Sequence, residues 1–90
     1  MRPSFEVRLQ PAAAEQLQVL DPEVRRRVRD KLVWLAEHAE AINHIPLRRD
    51  LAGLWKRRVG SYRIIYQVVR TGRILVVHKI GHRRDVYDLD

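Results

Sequence analysis

The sequence predicts a small α+β domain in which two helices cover one face of an antiparallel sheet and leave the other face partly open. Three observations support this fold class. An alternating segment comes first, two stretches with helical spacing follow, and three runs rich in β-branched and aromatic residues occupy the second half. The length of 90 residues predicts one domain, residues 1–90, and 46% hydrophobic residues are enough for a small core.

The first elements are a strand and a short helix. Residues 5–9 (Phe-Glu-Val-Arg-Leu) alternate between apolar and polar side chains, which is typical of a half-buried strand. Pro11 suits the first position of a helix. Ala13, Leu17 and Leu20 then follow with the spacing of one helical face. We therefore expect a helix from Pro11 to near Leu20.

A longer helix begins at residues 21–23 (Asp-Pro-Glu), which supply an N-cap carboxylate, a proline at the first position and an acid in the first turn. Its apolar residues recur at spacings of four, four and three: Val24, Val28, Leu32 and Leu35. Four arginines fall largely elsewhere and are interpreted as its solvated face: Arg25, Arg26, Arg27 and Arg29. We expect the helix to end near Ala39 and a loop to continue to Pro46.

Three further strands are predicted at residues 55–59, 62–69 and 74–80. The segments between them, Gly60-Ser61 and Arg70-Thr71-Gly72, are short enough to force antiparallel hairpins. The second half of the chain is therefore expected to form a three-stranded meander.

The charge balance favours a polyanionic partner. Lys and Arg number 18 against 11 Asp and Glu, for a net charge of +7, and only three of the cations are lysines. The planar guanidinium group suits phosphate well, which makes nucleic acid the first partner class to consider. An acidic protein that neutralises the same surface is the alternative.

Several functional classes lack support in the sequence. There are no cysteines, and the four histidines lie too far apart to indicate a metal site, so we expect neither metal nor cofactor. Nucleotide-binding, dehydrogenase and common protease motifs are missing. Neither a signal peptide nor a membrane span is evident, so a cytoplasmic protein that does not contact membranes is expected.

The candidate site is a cluster of cations near the first hairpin. Strand alternation predicts that Leu54, Lys56 and Arg58 share one face, with Arg63 on the next strand just past the turn. Lysine and arginine here are also compatible with a solvated edge strand that resists aggregation. For Arg63 we favour a functional role, because it lies among apolar and aromatic neighbours where a charge is costly unless a partner or ligand compensates it.

The segment that follows the last predicted strand, Gly81–Tyr87, adds more candidates. It carries a histidine, two arginines and a tyrosine: His82, Arg83, Arg84 and Tyr87. His82, expected in a loop, is a candidate acid or base, because histidine is the side chain that ordinarily changes charge near neutral pH. Trp34 and Trp55 are interpreted as core residues, with a base-stacking role for Trp55 as the alternative.

Two motifs, Leu54–Tyr66 (LWKRRVGSYRIIY) and Ile80–Tyr87 (IGHRRDVY), resemble the RelE/ParE superfamily of bacterial toxins, and the resemblance extends over nearly the whole chain. The order of strand, two helices and three strands agrees with the fold of that superfamily. RelE-type members are mRNA interferases that cut the codon in the ribosomal A site, whereas ParE-type members poison DNA gyrase. The resemblance therefore implies a toxin of a type II toxin–antitoxin system.

The resemblance to the RelE branch implies four catalytic residues: Lys56, Arg63, Arg83 and Tyr87. Three further residues of the cationic cluster and the segment after the last strand are expected to contact the substrate: Arg58, His82 and Arg84. Relatives often have a second lysine two residues before the first, where this chain has Leu54, so the identity of the general base is left open. The implied chemistry is metal-independent attack by a ribose 2′-hydroxyl on the adjacent phosphate.

The implied partners are a cognate antitoxin, the ribosome and mRNA. Two other functions stay open on the sequence. One is inhibition of DNA gyrase by a ParE-like member, and the other is a member that binds RNA or a regulator without cutting RNA.

Overall fold

The computed structural model of the protein describes residues 4–48 and 53–82. Within these ranges the elements are β1 (Glu6–Leu9), α1 (Pro11–Gln18), α2 (Pro22–His38), β2 (Ile45–Pro46), β3 (Trp55–Val59), β4 (Tyr62–Val69) and β5 (Ile74–His82). The strands form one sheet in the order β1-β5-β4-β3-β2. The predicted α+β class and the order of its main elements are confirmed.

The sheet is mixed rather than wholly antiparallel. Strands β2 to β5 pair antiparallel with their neighbours, but β1 runs parallel to β5. Parallel neighbours need a long connection. Here both helices and the other strands lie between β1 and β5 in the chain, which lets β5 return beside β1 in the same direction.

Strand β2 lies where the sequence predicted only a loop. It has two residues, Ile45 and Pro46, both exposed, and it pairs with Lys56 and Trp55 at the edge of the sheet. Proline has no backbone N–H and is confined to such edges. A strand this short shows no period in the sequence, which is why the pattern did not predict it.

The helices begin as predicted, with prolines in the first turn of both. Helix α1 ends two residues before the expected Leu20, and α2 ends one residue before Ala39. Asp21 is the N-cap of α2, but its carboxylate makes no capping hydrogen bond. Its carbonyl oxygen accepts from the Arg25 N–H at 2.8 Å, which is the first hydrogen bond of the helix. Its carboxylate also lies near the positive end of the helix dipole.

The core lies between the helices and one face of the sheet. Three residues of the predicted apolar stripe of α2 are buried: Val28, Leu32 and Leu35. The sheet contributes Ile64, Tyr66, Leu75, Val77 and Ile80. Trp34 and Trp55 are half-buried and pack against this cluster, which agrees with their interpretation as core residues.

A bulge interrupts the ladder between β4 and β5. Ile65 pairs with Lys79, but the next residue, Tyr66, pairs with Val77, so His78 is the extra residue. Nε2 of His78 lies 3.2 Å from Oε1 of Gln67. A single extra residue reverses the alternation of side chains along the rest of a strand.

The reversal decides which side chains of β5 face the helices. Before the bulge, Leu75 and Val77 lie in the helix-side core, and after it Ile80 does. Lys79 therefore lies on the opposite face, which we call the far face of the sheet. His82, three residues after Lys79, lies on the helix side.

None of the helices in the described part of the chain combines the length and the apolar character required to cross a membrane.

Candidate functional site

The far face of the sheet carries a cavity of about 290 Å³ at its β2–β3–β4 side. Its lining residues are Ile45, Lys56, Arg58 and Arg63, and we call it the cationic groove. The predicted clustering of Lys56, Arg58 and Arg63 on one face is confirmed. The described residues that line it include three cations and neither a carboxylate nor an imidazole, which favours an anionic ligand.

Arg58 and Arg63 are directly paired across the β3–β4 hairpin. The hairpin closes through Gly60, whose φ of +59° favours glycine because other residues rarely adopt it. Side chains directly opposite in an antiparallel pair have Cβ atoms about 5 Å apart, and like charges at such positions destabilise the sheet. The register thus brings two guanidinium groups onto the same part of the far face.

Ile65 forms the floor of the far face beside the groove. It is fully buried, although it is not part of the helix-side core. It pairs with Lys56 on one side and with Lys79 on the other. The two lysines are therefore separated by two strand spacings, about 10 Å, over a rigid apolar residue.

Lys79 is a candidate site residue that the sequence pattern missed. Simple alternation from Leu75 and Val77 places Lys79 toward the helices, and only the bulge at His78 turns it to the far face. The signal that was available is the apolar Ile80 directly after Lys79, since an unbroken strand would expose Ile80 and bury the lysine.

His82 does not join the cationic groove. It is the last residue of β5, so its predicted place in a loop was wrong. Its ring packs edge-on against Tyr62, with centroids 5.6 Å apart, and lines a helix-side cavity of about 310 Å³ with Val19 and Leu20 of the α1–α2 connection. The bulge accounts for the side on which the ring lies, because without it His82 would lie on the far face.

Arg83, Arg84 and Tyr87 lie outside the described residues, and their roles stay predictions. The structure describes β5 as far as His82, the residue before Arg83. Gly81 pairs with Arg63, and His82 is the next residue.

Arg57 lies between Lys56 and Arg58 in sequence but faces the helices. One guanidinium nitrogen, Nη2, donates to the carbonyl oxygen of Asn43 at 3.2 Å, and the group lies 5.8 Å from the centroid of the Trp34 ring. Arg57 therefore ties β3 to α2 and to the loop after it, on the opposite side of the sheet from the groove.

His38 and His44 have packing roles. Nδ1 of His38 donates to the carbonyl oxygen of Trp34 at 2.8 Å, and its ring stacks on the Trp34 ring at 4.5 Å. His44 lies between Tyr66 and Ala39. Across residues 4–48 and 53–82 no group of three or more His, Asp or Glu side chains is arranged to hold a metal ion.

A family model described as the ParE toxin of the type II toxin–antitoxin system parDE matches residues 7–87. The chain is also similar to Toxin RelG of Mycobacterium tuberculosis, with 40% identity over 42 residues. That match covers 47% of this chain and 48% of RelG, so it spans about half the length of that relative.

Solved structures of toxins share the fold. The RelBE2 toxin–antitoxin complex of Mycobacterium tuberculosis matches with a TM-score of 0.78 and 28% identity, over 89% of this chain and 92% of that one. The isolated RelE toxin of E. coli matches with a TM-score of 0.76 and 22% identity, over 94% and 93% of the two chains. At the latter identity the likeness shows the fold alone.

Proposed function

The chain belongs to the ParE toxin family, within the RelE/ParE superfamily of type II toxin–antitoxin toxins, and we propose that it is a ribosome-dependent endoribonuclease. It would cut mRNA in the ribosomal A site and thereby inhibit translation. The observation that carries the proposal is the cationic groove, which presents Lys56, Arg58 and Arg63 together on one face of the sheet.

The proposed reaction transfers a phosphoryl group within the RNA. The ribose 2′-oxygen forms a bond to the adjacent phosphorus as the bond to the 5′-oxygen breaks. The 2′-hydroxyl loses its proton, the 5′-oxygen gains one, and the products carry a 2′,3′-cyclic phosphate and a 5′-hydroxyl. Negative charge builds on the phosphoryl oxygens, so preorganised cations at Lys56 and Arg63 lower the barrier without a metal ion.

The remaining roles rest on the resemblance. Arg83 is assigned to the leaving 5′-oxygen, in preference to His82, because the ring of His82 faces the helix side with Tyr62. Tyr87 is assigned to stacking on and orienting a base, and Arg58 and Arg84 to contacts with the flanking phosphates.

Proton removal from the 2′-hydroxyl is the weakest part of this site. Leu54 stands where relatives often have a second lysine. Lysine and arginine side chains ordinarily have pKa values far above neutral pH, so they are poor proton acceptors. A ribosome that holds the mRNA bent for in-line attack would supply much of the rate through positioning. Cleavage of free RNA is therefore expected to be slow, and action at the ribosome implies a cytoplasmic location.

We further propose a cognate antitoxin as the protein partner. The solved relatives include a toxin–antitoxin complex, and this chain has a net charge of +7 that an acidic partner would complement. An antitoxin that covers the cationic groove would block access of RNA.

Inhibition of DNA gyrase is the second candidate, favoured by the family model, whose description names ParE. That activity needs a binding surface but no catalytic cluster. A member that binds RNA or a regulator without cutting is compatible with the same groove.

One experiment separates these functions. The chain is induced in a bacterial host, 5′ ends of mRNA are mapped, and plasmid supercoiling is measured in the same cells, with the Lys56→Ala/Arg63→Ala double variant as the control. The proposal predicts new 5′ ends at fixed positions within codons, bearing 5′-hydroxyl groups, only for the wild-type chain. Growth arrest with lost supercoiling and no new ends would overturn it in favour of gyrase inhibition.

A further inference from the structure

A second groove lies between α2 and the β3–β4 turn, and we propose that it binds the phosphodiester backbone of RNA beside the segment held in the cationic groove. Its volume is about 470 Å³. It is lined by residues 58–60 and by Arg27, Asp30, Lys31 and Trp34 of α2, and we call it the α2 groove. The inference rests on the proposed function, which makes RNA the ligand of the cationic groove.

The charges of the α2 groove favour an anionic ligand. Two cations of α2, Arg27 and Lys31, lie beside one carboxylate, Asp30, and a third cation, Arg58, borders the groove from β3 with its side chain directed to the far face. None of the three forms an ion pair within 4 Å with any part of the chain that the structure describes. Arg8 and Arg73, by contrast, form ion pairs with Glu6 and Glu40. Within the described ranges, the cations of the groove therefore have no ion-pair partner.

The cations are held on two walls. Arg27 and Lys31 are four residues apart on α2 and so share one helical face. A Cβ atom placed on Gly60 would lie 3.5 Å from Nη2 of Arg27, so this guanidinium reaches the hairpin turn. Nζ of Lys31 lies 4.8 Å from the centroid of the Trp34 ring, which positions the ammonium group at the groove.

The indole of Trp34 already contacts other side chains of the protein. It stacks on the His38 ring at 4.5 Å and also has Lys31 and Arg57 beside it. Base stacking on Trp34 would displace these neighbours, whereas a phosphate would bind the exposed cations directly. We therefore infer recognition of the RNA backbone rather than of a base.

Arg58 connects the two grooves, because it lines both of them. It is exposed on β3, next to the turn. An acidic peptide would also be attracted by the charge of the α2 groove. The continuity through Arg58 favours RNA, since one chain of phosphates can pass from the cationic groove over Arg58 to Arg27 and Lys31.

This inference changes the interpretation of one arginine on α2. Arg27 belongs to the groove, whereas Arg26 and Arg29 are exposed on the same helix and do not line it. Arg26 and Arg29 therefore provide a matched control with the same change in charge. Arg25 is unsuitable because its guanidinium donates to the carbonyl oxygen of Gln18 at 3.2 Å.

The first test measures binding of the full chain to a short, labelled, single-stranded 2′-O-methyl RNA, which lacks the attacking hydroxyl and cannot be cut. Fluorescence anisotropy is recorded over a range of salt concentrations. The Arg27→Gln/Lys31→Gln variant should lose about tenfold in affinity, and its salt slope should fall by about 1.4, or about 0.7 for each lost phosphate contact. The Arg26→Gln/Arg29→Gln variant should change both quantities much less.

The second test identifies the source of the RNA. Co-sedimentation with ribosomes that carry no mRNA reports on ribosomal RNA, whereas the oligonucleotide reports on a single-stranded message. Selective loss by the Arg27→Gln/Lys31→Gln variant in either assay supports the inference and names that source. Equal losses for this variant and its control in both assays, or a selective loss only toward an acidic antitoxin peptide, would overturn it.

Failure of the proposed function gives a different result. If the chain binds RNA through the α2 groove but leaves mRNA on ribosomes intact, the proposed nuclease function is refuted and the RNA-binding role of the α2 groove stands. If the chain cuts mRNA and the two double variants bind RNA equally well, the RNA-binding role of the α2 groove is refuted and the nuclease function stands. Thermal unfolding of each variant, together with the single Arg27→Gln change, excludes misfolding as the cause.

Discussion

The hydroxyl oxygen of Tyr66 lies 2.6 Å from Nδ1 of His44. The other ring nitrogen of His44, Nε2, lies 2.7 Å from the carbonyl oxygen of Ala39, which can only accept. In the neutral ring Nε2 therefore carries the hydrogen, and Nδ1 accepts the hydrogen bond that Tyr66 donates. These two hydrogen bonds connect His44 to the buried Tyr66 of β4. His44 directly precedes Ile45, and Ile45 lines the cationic groove.

Tyr66→Phe is expected to lower the free energy of unfolding by about 1–3 kcal/mol, because Nδ1 of His44 loses its donor in a half-buried position. Urea unfolding followed by circular dichroism measures the change. Tyr62→Phe is the control, since no hydrogen bond of the Tyr62 hydroxyl is seen among the described residues. Equal stability of the two variants would show that the bond to His44 contributes nothing.

Tyr66 is also expected to make the stability of the protein depend on pH in the alkaline range. Burial raises the pKa of Tyr66 above its ordinary value of 10.0, while Arg57 acts in the opposite direction. The folded state therefore retains a proton that the unfolded state loses, so this contribution to stability is complete below pH 10 and decreases as the pH rises further. Unfolding measured from pH 9 to 11 should show a steeper loss for wild type and Tyr62→Phe than for Tyr66→Phe. Parallel curves for all three proteins would contradict this prediction.

Much of the site was predictable from local patterns. Alternation along residues 55–59 and the short turn at Gly60-Ser61 place Lys56, Arg58 and Arg63 on one face, and the structure agrees. Alternation depends only on neighbouring residues, so the sequence is sufficient wherever the ladder is regular.

Two features depended on distant contacts and were missed. The bulge at His78 arises where β5 meets β4, and it sends Lys79 and His82 to the faces opposite to those that alternation predicts. Strand β2 exists only because β3 offers Ile45 and Pro46 a partner. Neither feature has a period of its own in the sequence.

The bulge leads to a prediction about His82. His82→Ala should leave the rate of mRNA cleavage on programmed ribosomes nearly unchanged, because the ring faces Tyr62 and the helix side. Arg83→Ala, which removes the cation assigned to the leaving oxygen, should lower the rate about a hundredfold or more. Single-turnover cleavage of both variants measures the difference. A decrease in cleavage rate for His82→Ala as large as that for Arg83→Ala would show that His82 acts in the reaction.

Lys79 is predicted to increase the affinity of the toxin for its RNA substrate and not the rate of cleavage. It lies on the far face beside Ile65, two strand spacings from Lys56, so it is suited to a flanking phosphate. Lys79→Ala should raise the toxin concentration that gives half-maximal cleavage by about three- to tenfold and leave the rate at saturation unchanged. Arg70→Ala, which removes an exposed cation after β4, is the control. A rate at saturation as low as that of Lys56→Ala would instead place Lys79 at the reacting phosphate.

Arg63→Ala on saturating programmed ribosomes is the most direct measurement of the proposed mechanism. The guanidinium group is assigned to charge that develops on the phosphate, so its loss should lower the single-turnover rate by about a hundredfold to a thousandfold. Folding and antitoxin binding should be retained, and Arg70→Ala should cleave as the wild type does. A rate for Arg63→Ala equal to that of the wild type would contradict the assignment of the cationic groove as the nuclease site.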